Sequence, residues 1–365
     1  MSLKVALLTY STKPRGGVVH TLNLAEALAR HGADVTVWSL RRSGDSGFFR
    51  PVDPAVSVQL VDFTDYPGDT VTDRIVRSIE TLRAAFSPDE YDIVHAQDCI
   101  SANAVGSCIR TIHHLDEFTT PVLAQCHERA IVEPYALICV SSAVATEVQA
   151  GWHLTPTVIP NGVQAERFAQ AASAEPGAAT ARERWRAELG HYILAVGGIE
   201  PRKGTLDLIE AYSALPQRFP HLSLVIAGGE TLFDYRGYRA QVDQLCLDLG
   251  VRPRVLGAVS NDALPALIAA CEVFAFPSTK EGFGLAALEA LAAGRPVVTR
   301  DLPVLREVFG GTVQYATDAT GLADALAAAI ECPVDPEPGR ALAQSMTWDS
   351  AAEAHLEFYH HHRDR

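Results

Sequence analysis

Short apolar runs alternate with amphipathic stretches along nearly the whole chain. Val5 to Tyr10 is a largely apolar run of strand length, and Val18 to His31 repeats apolar residues at helical spacing until Gly32. Val35–Trp38 and Val56–Val61 read as further strands, and Arg74–Phe86 and Gln125–Ile131 as helices. Ile93–His95, Ile109–His113 and Leu137–Val140 read as short strands. Strands that are apolar throughout, with helices between them, form parallel sheets covered on both faces. From Gln164 to Gly190 the strand signal gives way to Ala, Glu and Arg. A second series follows at Tyr192–Val196, Leu222–Ala227, Val255–Leu256, Val273–Phe276 and Pro296–Thr299, and a helix closes the chain from Met346–Trp348 to Tyr359.

A chain of 365 residues is long for one core. The expected fold is therefore α/β, with two doubly wound, Rossmann-like domains. Residues 1–163, rejoined by a C-terminal helix at 347–365, form the first and residues 164–346 the second. Facing one another, they would make a cleft at the carboxyl ends of their strands, where such sheets bind ligands. The Asn161-Gly162 turn, the Gln164–Gly190 connection and the Met346–Trp348 return are the expected hinge positions.

Composition narrows the class. The chain is 48% hydrophobic and 20% charged, as ordinary globular proteins are. No apolar run approaches the roughly 20 residues that span a bilayer. Met1 to Lys4 leads straight into a strand, so no signal peptide is expected. Seven cysteines without a C-x-x-C pair give neither a disulfide framework nor a zinc site, and they read as reduced thiols of a cytoplasmic protein. A net charge of −14, spread over both halves, repels nucleic acid and anionic membrane. Peripheral lipid contact through a local basic patch stays open, although no basic run proposes one. Lysine is scarce, at Lys4, Lys13, Lys203 and Lys280 only, so a lysine beside a glycine motif carries weight.

The densest chemistry lies in Ser278-Thr-Lys-Glu-Gly-Phe-Gly-Leu-Ala-Ala-Leu-Glu289. An apolar strand precedes it, and Leu285, Leu288 and Leu291 recur at helical spacing up to Gly294. Glu281 therefore falls in a loop and Glu289 on a helix. Between them the Gly282–Gly284 backbone can approach a ligand, and free N–H groups at a helix start attract phosphate. A diphosphate on those amides, with carboxylates on either side for sugar hydroxyls, describes a nucleotide-sugar site. Gly16-Gly17 repeats the strand–glycine–helix pattern in the first domain. Glu200-Pro-Arg202-Lys203-Gly204 sets two cations after the first strand of the second domain, where they would neutralise a leaving diphosphate. Thr111-Ile-His113-His114 ends the fifth strand, and a histidine there can bond a sugar hydroxyl; His95 and His127 are weaker candidates. Gly228-Gly-Glu230 closes a strand and is expected to line the cleft. The fingerprint of a dinucleotide-binding dehydrogenase is missing, because Ser11-Thr-Lys-Pro-Arg-Gly-Gly17 stands in place of G-x-G-x-x-G.

Taken in order, Gly16-Gly17-Val-Val-His20, Asp92-Ile-Val-His95-Ala-Gln, Thr111-Ile-His113, Val158-Ile-Pro-Asn161-Gly, Pro201-Arg-Lys203-Gly, Pro277-Ser-Thr-Lys-Glu281-Gly-Phe-Gly-Leu and Glu289 resemble a family 4 retaining glycosyltransferase of the GT-B architecture. The resemblance covers nearly the full length, and the family's E-x7-E signature falls on Glu281 and Glu289. It implies that Glu289 binds donor ribose hydroxyls and that Glu281 sits against the donor hexose. Amides from Phe283, Gly284 and Leu285 would hold sugar hydroxyls or phosphate, and Lys203 the diphosphate. His113 would be the active-site histidine, and Gly17 would touch donor phosphate. It also implies a metal-independent, cofactor-free transfer from a nucleotide-diphosphate sugar to an unidentified acceptor, with the leaving phosphate taking the acceptor's proton. One departure stands out: the family's G-R-x-x-x-x-G is Gly197-Gly198 here, and Arg202 is the expected substitute cation. A nucleotide-sugar epimerase of the same architecture is the alternative enzyme, and a non-catalytic nucleotide-sugar sensor the alternative of another class.

Overall fold

The computed structural model describes residues 2–42, 44–116, 118, 120–228 and 235–363. They form two compact units, residues 1–162 with 348–365, and residues 163–347. Unit 1 runs β1 (Lys4–Leu8), α1 (Gly16–Arg30), β2 (Asp34–Arg42), β3 (Ser57–Phe63), α2 (Val71–Ala85), β4 (Ile93–Ala96), α3 (Cys99–Val105), β5 (Ile109–Ile112), α4 (Pro121–Val132), β6 (Ala136–Cys139), α5 (Ser142–Trp152) and β7 (Thr157–Val158). The strands pair in parallel in the order β3-β2-β1-β4-β5-β6-β7. Val5, Ala6, Leu7 and Leu8 of the central β1 are fully buried, as a parallel strand covered on both faces requires.

Unit 2 opens with α6 (Ala165–Ala172) and α7 (Pro176–Leu189), then β8 (His191–Val196), a 3-10 turn (Pro201–Lys203), α8 (Thr205–Ser213), β9 (Leu222–Ala227), α9 (Arg236–Leu249) and β10 (Arg254–Gly257). It continues through α10 (Leu264–Ala270), β11 (Val273–Phe276), α11 (Leu285–Ala292), β12 (Val297–Arg300), α12 (Pro303–Phe309), β13 (Gln314–Ala316), α13 (Ala319–Glu331) and α14 (Glu337–Ser345). Its parallel sheet has the order β10-β9-β8-β11-β12-β13. Ile193, Leu224, Val273 and Val298 from four strands pack with Leu208 of α8 and Leu322 and Leu326 of α13. Burying each such side chain contributes about 1.5–3 kcal/mol. The chain then returns to unit 1 as α15 (Trp348–His362), which lies on α1 with Tyr359 and His355 fully buried.

Both sheets reverse their strand order once, between β1 and β4 in unit 1 and between β8 and β11 in unit 2. Open parallel sheets bind ligands at the carboxyl edge beside such a reversal. The strand ends there carry Gly16-Gly17 and Gln97-Asp98 in unit 1, and Gly197–Lys203 and Pro277–Glu281 in unit 2.

Some elements differ from their sequence-based expectation. The Gln164–Gly190 stretch, expected as a hinge connection, is the helix pair α6 and α7. It is seated by buried Phe168 and Leu189 against α10 and α11. β5 ends at Ile112, so His113 lies just past the strand. The two cations after the first strand of the second domain lie in a 3-10 turn, Pro201–Lys203, and Gly204 caps α8. β13 escaped detection because only Ala316 of its three residues is buried.

Gly204 has φ +65°, and a Cβ there would lie 2.2 Å from the carbonyl oxygen of Pro277. Gly204→Ala is therefore expected to destabilise the protein by roughly 1–3 kcal/mol, read as a lower urea midpoint. An unchanged midpoint would mean that the Pro277 loop yields freely.

Candidate functional site

At the strand-order reversal of unit 2, two loops are stitched together. The amide of Thr279 donates to Arg202 O at 2.8 Å, joining the loop after β11 to the 3-10 turn after β8. Lys203 Nζ lies 2.6 Å from Glu281 Oε1, and Arg202 Nη1 lies 3.3 Å from the same oxygen. Arg202 also reaches Glu200 Oε1 at 2.8 Å. Gly197, at φ +142°, explains how Lys203 gets there: a Cβ at 197 would come within 3.2 Å of the lysine's Cε. The lysine stem crosses that bare backbone and sets its ammonium over the Phe276 ring, 5.1 Å from the centroid. A small cavity bounded by Gly197, Gly198, Lys203, Thr205, Phe276 and Ser278 lies beside it.

Electrostatics follow from this clustering. Burial alone would raise the Glu281 carboxyl, but Lys203 and then Arg202 outweigh it and hold the group down at about 2. Glu281 is thus ionised at any working pH and already neutralises the cations that a phosphate would meet. Glu289, one turn into α11, has the opposite environment. Burial pushes its carboxyl up to about 7, and only the charge of Arg167 on α6 opposes that shift. Among the described residues no hydrogen bond to the Glu289 carboxylate is found, so its side-chain oxygens are available to hydroxyl donors.

Between these carboxylates the start of α11 is open. Gly284, at φ +101°, is its N-cap, with no side-chain cap and no acid in the first turn. Ala287 and Leu288 donate to Gly284 O, which leaves the amides of Gly284, Leu285 and Ala286 free of intrahelical partners. Phe283 is buried, and Phe309 and Leu305 pack below Gly284. Arg300, at the end of β12, braces the arrangement from behind. Its guanidinium bonds Pro277 O at 3.2 Å, Thr317 O at 2.8 Å and the carboxylate of Asp207 on α8.

Unit 1 carries its own cluster. α1 starts at Gly16 without a side-chain cap, and Gly17 lies against His113, where a Cβ would be 3.6 Å from Cδ2. Burial, then the Arg110 guanidinium and His114, hold His113 well below the usual histidine range, so its ring is neutral. The ring of His20 meets it edge-on at 4.7 Å.

The expected site residues thus fall into two groups. The structure brings Arg202, Lys203 and Glu281 into contact, with Phe283, Gly284, Leu285 and Glu289 following on the same loop and helix. It brings Gly16, Gly17 and His113 together in unit 1. Gly228 is accounted for by packing, because a Cβ there would lie 2.0 Å from Gly197 O; the adjoining Glu230 lies outside the described residues. The other histidines have structural explanations. His95 bridges Tyr359 OH and Thr111 Oγ1, each at 2.7 Å, and His127 packs against Phe118 and Trp152. His114 pairs with Asp116 at 3.2 Å. Arg167 and Arg300 carry no motif, since each acts on a group distant in sequence, Arg167 on Glu289 by its charge and Arg300 on Pro277 O and Asp207 by contact; Glu200 stands in the Glu200–Gly204 motif and pairs with Arg202 two residues on. Among the described residues no cluster of acids, histidines or cysteines fits a metal, and no helix is long and apolar enough to cross a membrane.

The comparisons with known proteins agree with one another. Residues 14–167 match the model of Glycosyltransferase Family 4, and residues 180–341 that of Glycosyl transferases group 1. An uncharacterised glycosyltransferase of Methanocaldococcus jannaschii is 30% identical over 333 residues, covering 84% of this chain and 83% of that protein. The phosphatidyl-myo-inositol mannosyltransferase of Mycolicibacterium smegmatis is 27% identical over 354 residues, covering 88% of this chain and 83% of its own. Among solved structures, sucrose-phosphate synthase from Thermosynechococcus elongatus superposes with a TM-score of 0.78 at 19% identity, over 98% of both chains. Anabaena HepE in complex with UDP and glucose gives 0.72 at 21%, over 98% of this chain and 99% of its own. The epimerase alternative finds no support among them. With two parallel-sheet units of GT-B type and both halves matched, the chain belongs to the family 4 glycosyltransferases.

Proposed function

We propose that this glycosyltransferase moves a hexose from a nucleotide-diphosphate sugar to an acceptor, with retention of anomeric configuration and without metal or cofactor. The observation that carries the reading is the meeting of Lys203, Arg202 and Glu281 beside the uncapped start of α11. Breaking a glycosyl–phosphate bond puts negative charge on the leaving diphosphate. Two fixed cations and a row of free amides stabilise that charge without reorganising. Arg202 stands in for the arginine that position 198 lacks, and Glu200 keeps its guanidinium on site. Glu289 takes the ribose hydroxyls and Glu281 the hexose. His113, being neutral, bonds a sugar hydroxyl rather than delivering a proton from an imidazolium. The leaving phosphate is the base for the acceptor, as the family resemblance implies. HepE, whose solved complexes contain UDP-glucose, supports a nucleotide-sugar donor. Seven unpaired cysteines fit a reducing compartment, the cytoplasm.

Incubation with a panel of nucleotide sugars in EDTA tests the whole reading. Transfer that keeps the donor's anomeric configuration, followed by NMR of the product, is the expected result. An inverted product, or activity that needs a divalent cation, would contradict it. Lys203→Ala is expected to lower kcat more than it weakens donor binding, since charge on the diphosphate grows toward the transition state. Equal losses would make Lys203 a plain phosphate anchor.

Glu289 provides a pH test with a definite sign. Its folded carboxyl, at about 7, lies above the ordinary value of 4.5, so the native state holds the extra proton between the two. Stability from this group is therefore lost as pH rises from about 4.5 to 7. Relative to wild type, Glu289→Gln should gain urea resistance across that window and hold the gain above it. Donor affinity of the wild type should do the reverse and strengthen through pH 7, because only the ionised carboxylate accepts from two ribose hydroxyls. A pH-independent donor dissociation constant would remove Glu289 from the ribose.

A further inference from the structure

Gln97 follows β4 directly, at the strand-order reversal of unit 1. Its backbone N–H donates to Leu8 O at the end of β1, 2.9 Å away, which pins the residue at that edge. The residue is only 2% exposed. Its Oε1 lies 3.3 Å from Nε2 of His113, while its amide nitrogen is buried without a partner among the described residues. Leaving that donor unpaired costs about 1–3 kcal/mol, a cost that leucine would avoid. The oxygen is therefore the part of the side chain with a use.

His113 has little freedom of place. Gly17 lies along its Cδ2–Nε2 edge, and His20 packs against the ring in a T-shaped contact at 4.7 Å, itself held through Nδ1 by Asn161 Oδ1 at 2.8 Å. What remains to be fixed is which ring nitrogen carries the proton. An amide oxygen accepts and cannot donate, so an imidazole bonded to it must do so through Nε2–H. A neutral imidazole has one N–H, and Nδ1 then keeps its lone pair.

We propose that Gln97 is a positioning residue for His113: its carbonyl oxygen fixes the Nε2–H tautomer and leaves Nδ1 to accept from a hydroxyl of the bound sugar. This deepens the reading of His113 as an active-site group and rests on it. The charged and titratable groups around His113 are Arg110 and His114 from its own strand end, His95 from β4, His20 from α1 and His355 from α15. Asp98 follows Gln97 and caps α3. Arg110 and the histidines all disfavour an imidazolium, so a carboxylate at position 97 would change the balance.

The test uses the full chain with nitrogen-15 histidine, with His113 assigned by the loss of its signals in His113→Asn. Long-range proton–nitrogen correlation should show the wild-type ring as the Nε2–H tautomer. Gln97→Leu should lose that single tautomer, with kcat down about tenfold, the worth of one hydrogen bond, and donor KM held within about twofold. Gln97→Glu, nearly isosteric, should raise the His113 pKa and give kcat at saturating donor a histidine titration between about pH 5 and 8 that the wild type lacks; it keeps the test alive if the leucine variant does not fold. A wild-type Nδ1–H tautomer, or an unchanged tautomer in Gln97→Leu, would overturn the proposal. Wild-type turnover in His113→Asn would instead overturn the underlying reading of the site, which the tautomer signal does not touch.

Discussion

A lysine and a glutamate from neighbouring loops hold the second sheet's carboxyl edge in shape. Lys203 and Glu281 are both mostly buried, and their contact at 2.6 Å joins the connection after β8 to the one after β11. Removing one partner of such a pair leaves a buried charge unpaired, at a cost of about 3–5 kcal/mol. Several backbone choices serve that one contact. Gly197 gives the lysine stem a path, Gly204 lets α8 begin against Pro277 O, and Arg300 grips the same carbonyl from β12. The strand-order reversal puts β8 and β11 side by side, so residues 78 apart in sequence can meet at all.

The pair also sets the electrostatics of the edge. With Glu281 ionised, the cations of the turn are balanced and cost little to keep in a partly desolvated place. An incoming diphosphate would find positive groups already ordered and free amides already aimed, and would have to compete with one carboxylate for them. Glu289, eight residues on, has no such partner and keeps its proton until near neutrality. Two glutamates of one motif thus have opposite protonation habits, because one faces cations and the other faces only burial and a single arginine.

Much of this was legible in the sequence. Apolar runs located the long strands because a fully covered parallel strand leaves no polar positions to confuse the pattern; Leu222–Ala227 and Val273–Phe276 emerge with their observed limits. The lysine motif was legible because a scarce residue beside a strand end is informative, and the glycine motifs because they fall between an apolar strand and a helix. Other features were not. β13 buries too little to leave a pattern, and the polar faces of α6 and α7 hid two helices in an apparent linker. Arg300 and Gln97 act by contacts that only topology creates. Gly228 shows the converse, since a glycine that looked like a ligand contact is required by the backbone of Gly197 beside it.

On the proposed reading, Glu281 holds Lys203 and Arg202 in place and competes with phosphate for their charge. Isothermal titration of a nucleoside diphosphate, which lacks the sugar, into wild type, Glu281→Gln and Lys203→Met tests this most directly. Neutral glutamine keeps the shape of the loop and ends the competition, so Glu281→Gln should bind the diphosphate at least as tightly as wild type, while Lys203→Met binds it more weakly by tenfold or so, about one charge-assisted contact. Equal weakening in both variants would contradict the account, because it would make Glu281 a direct ligand of the nucleotide rather than the counter-charge of its binding site.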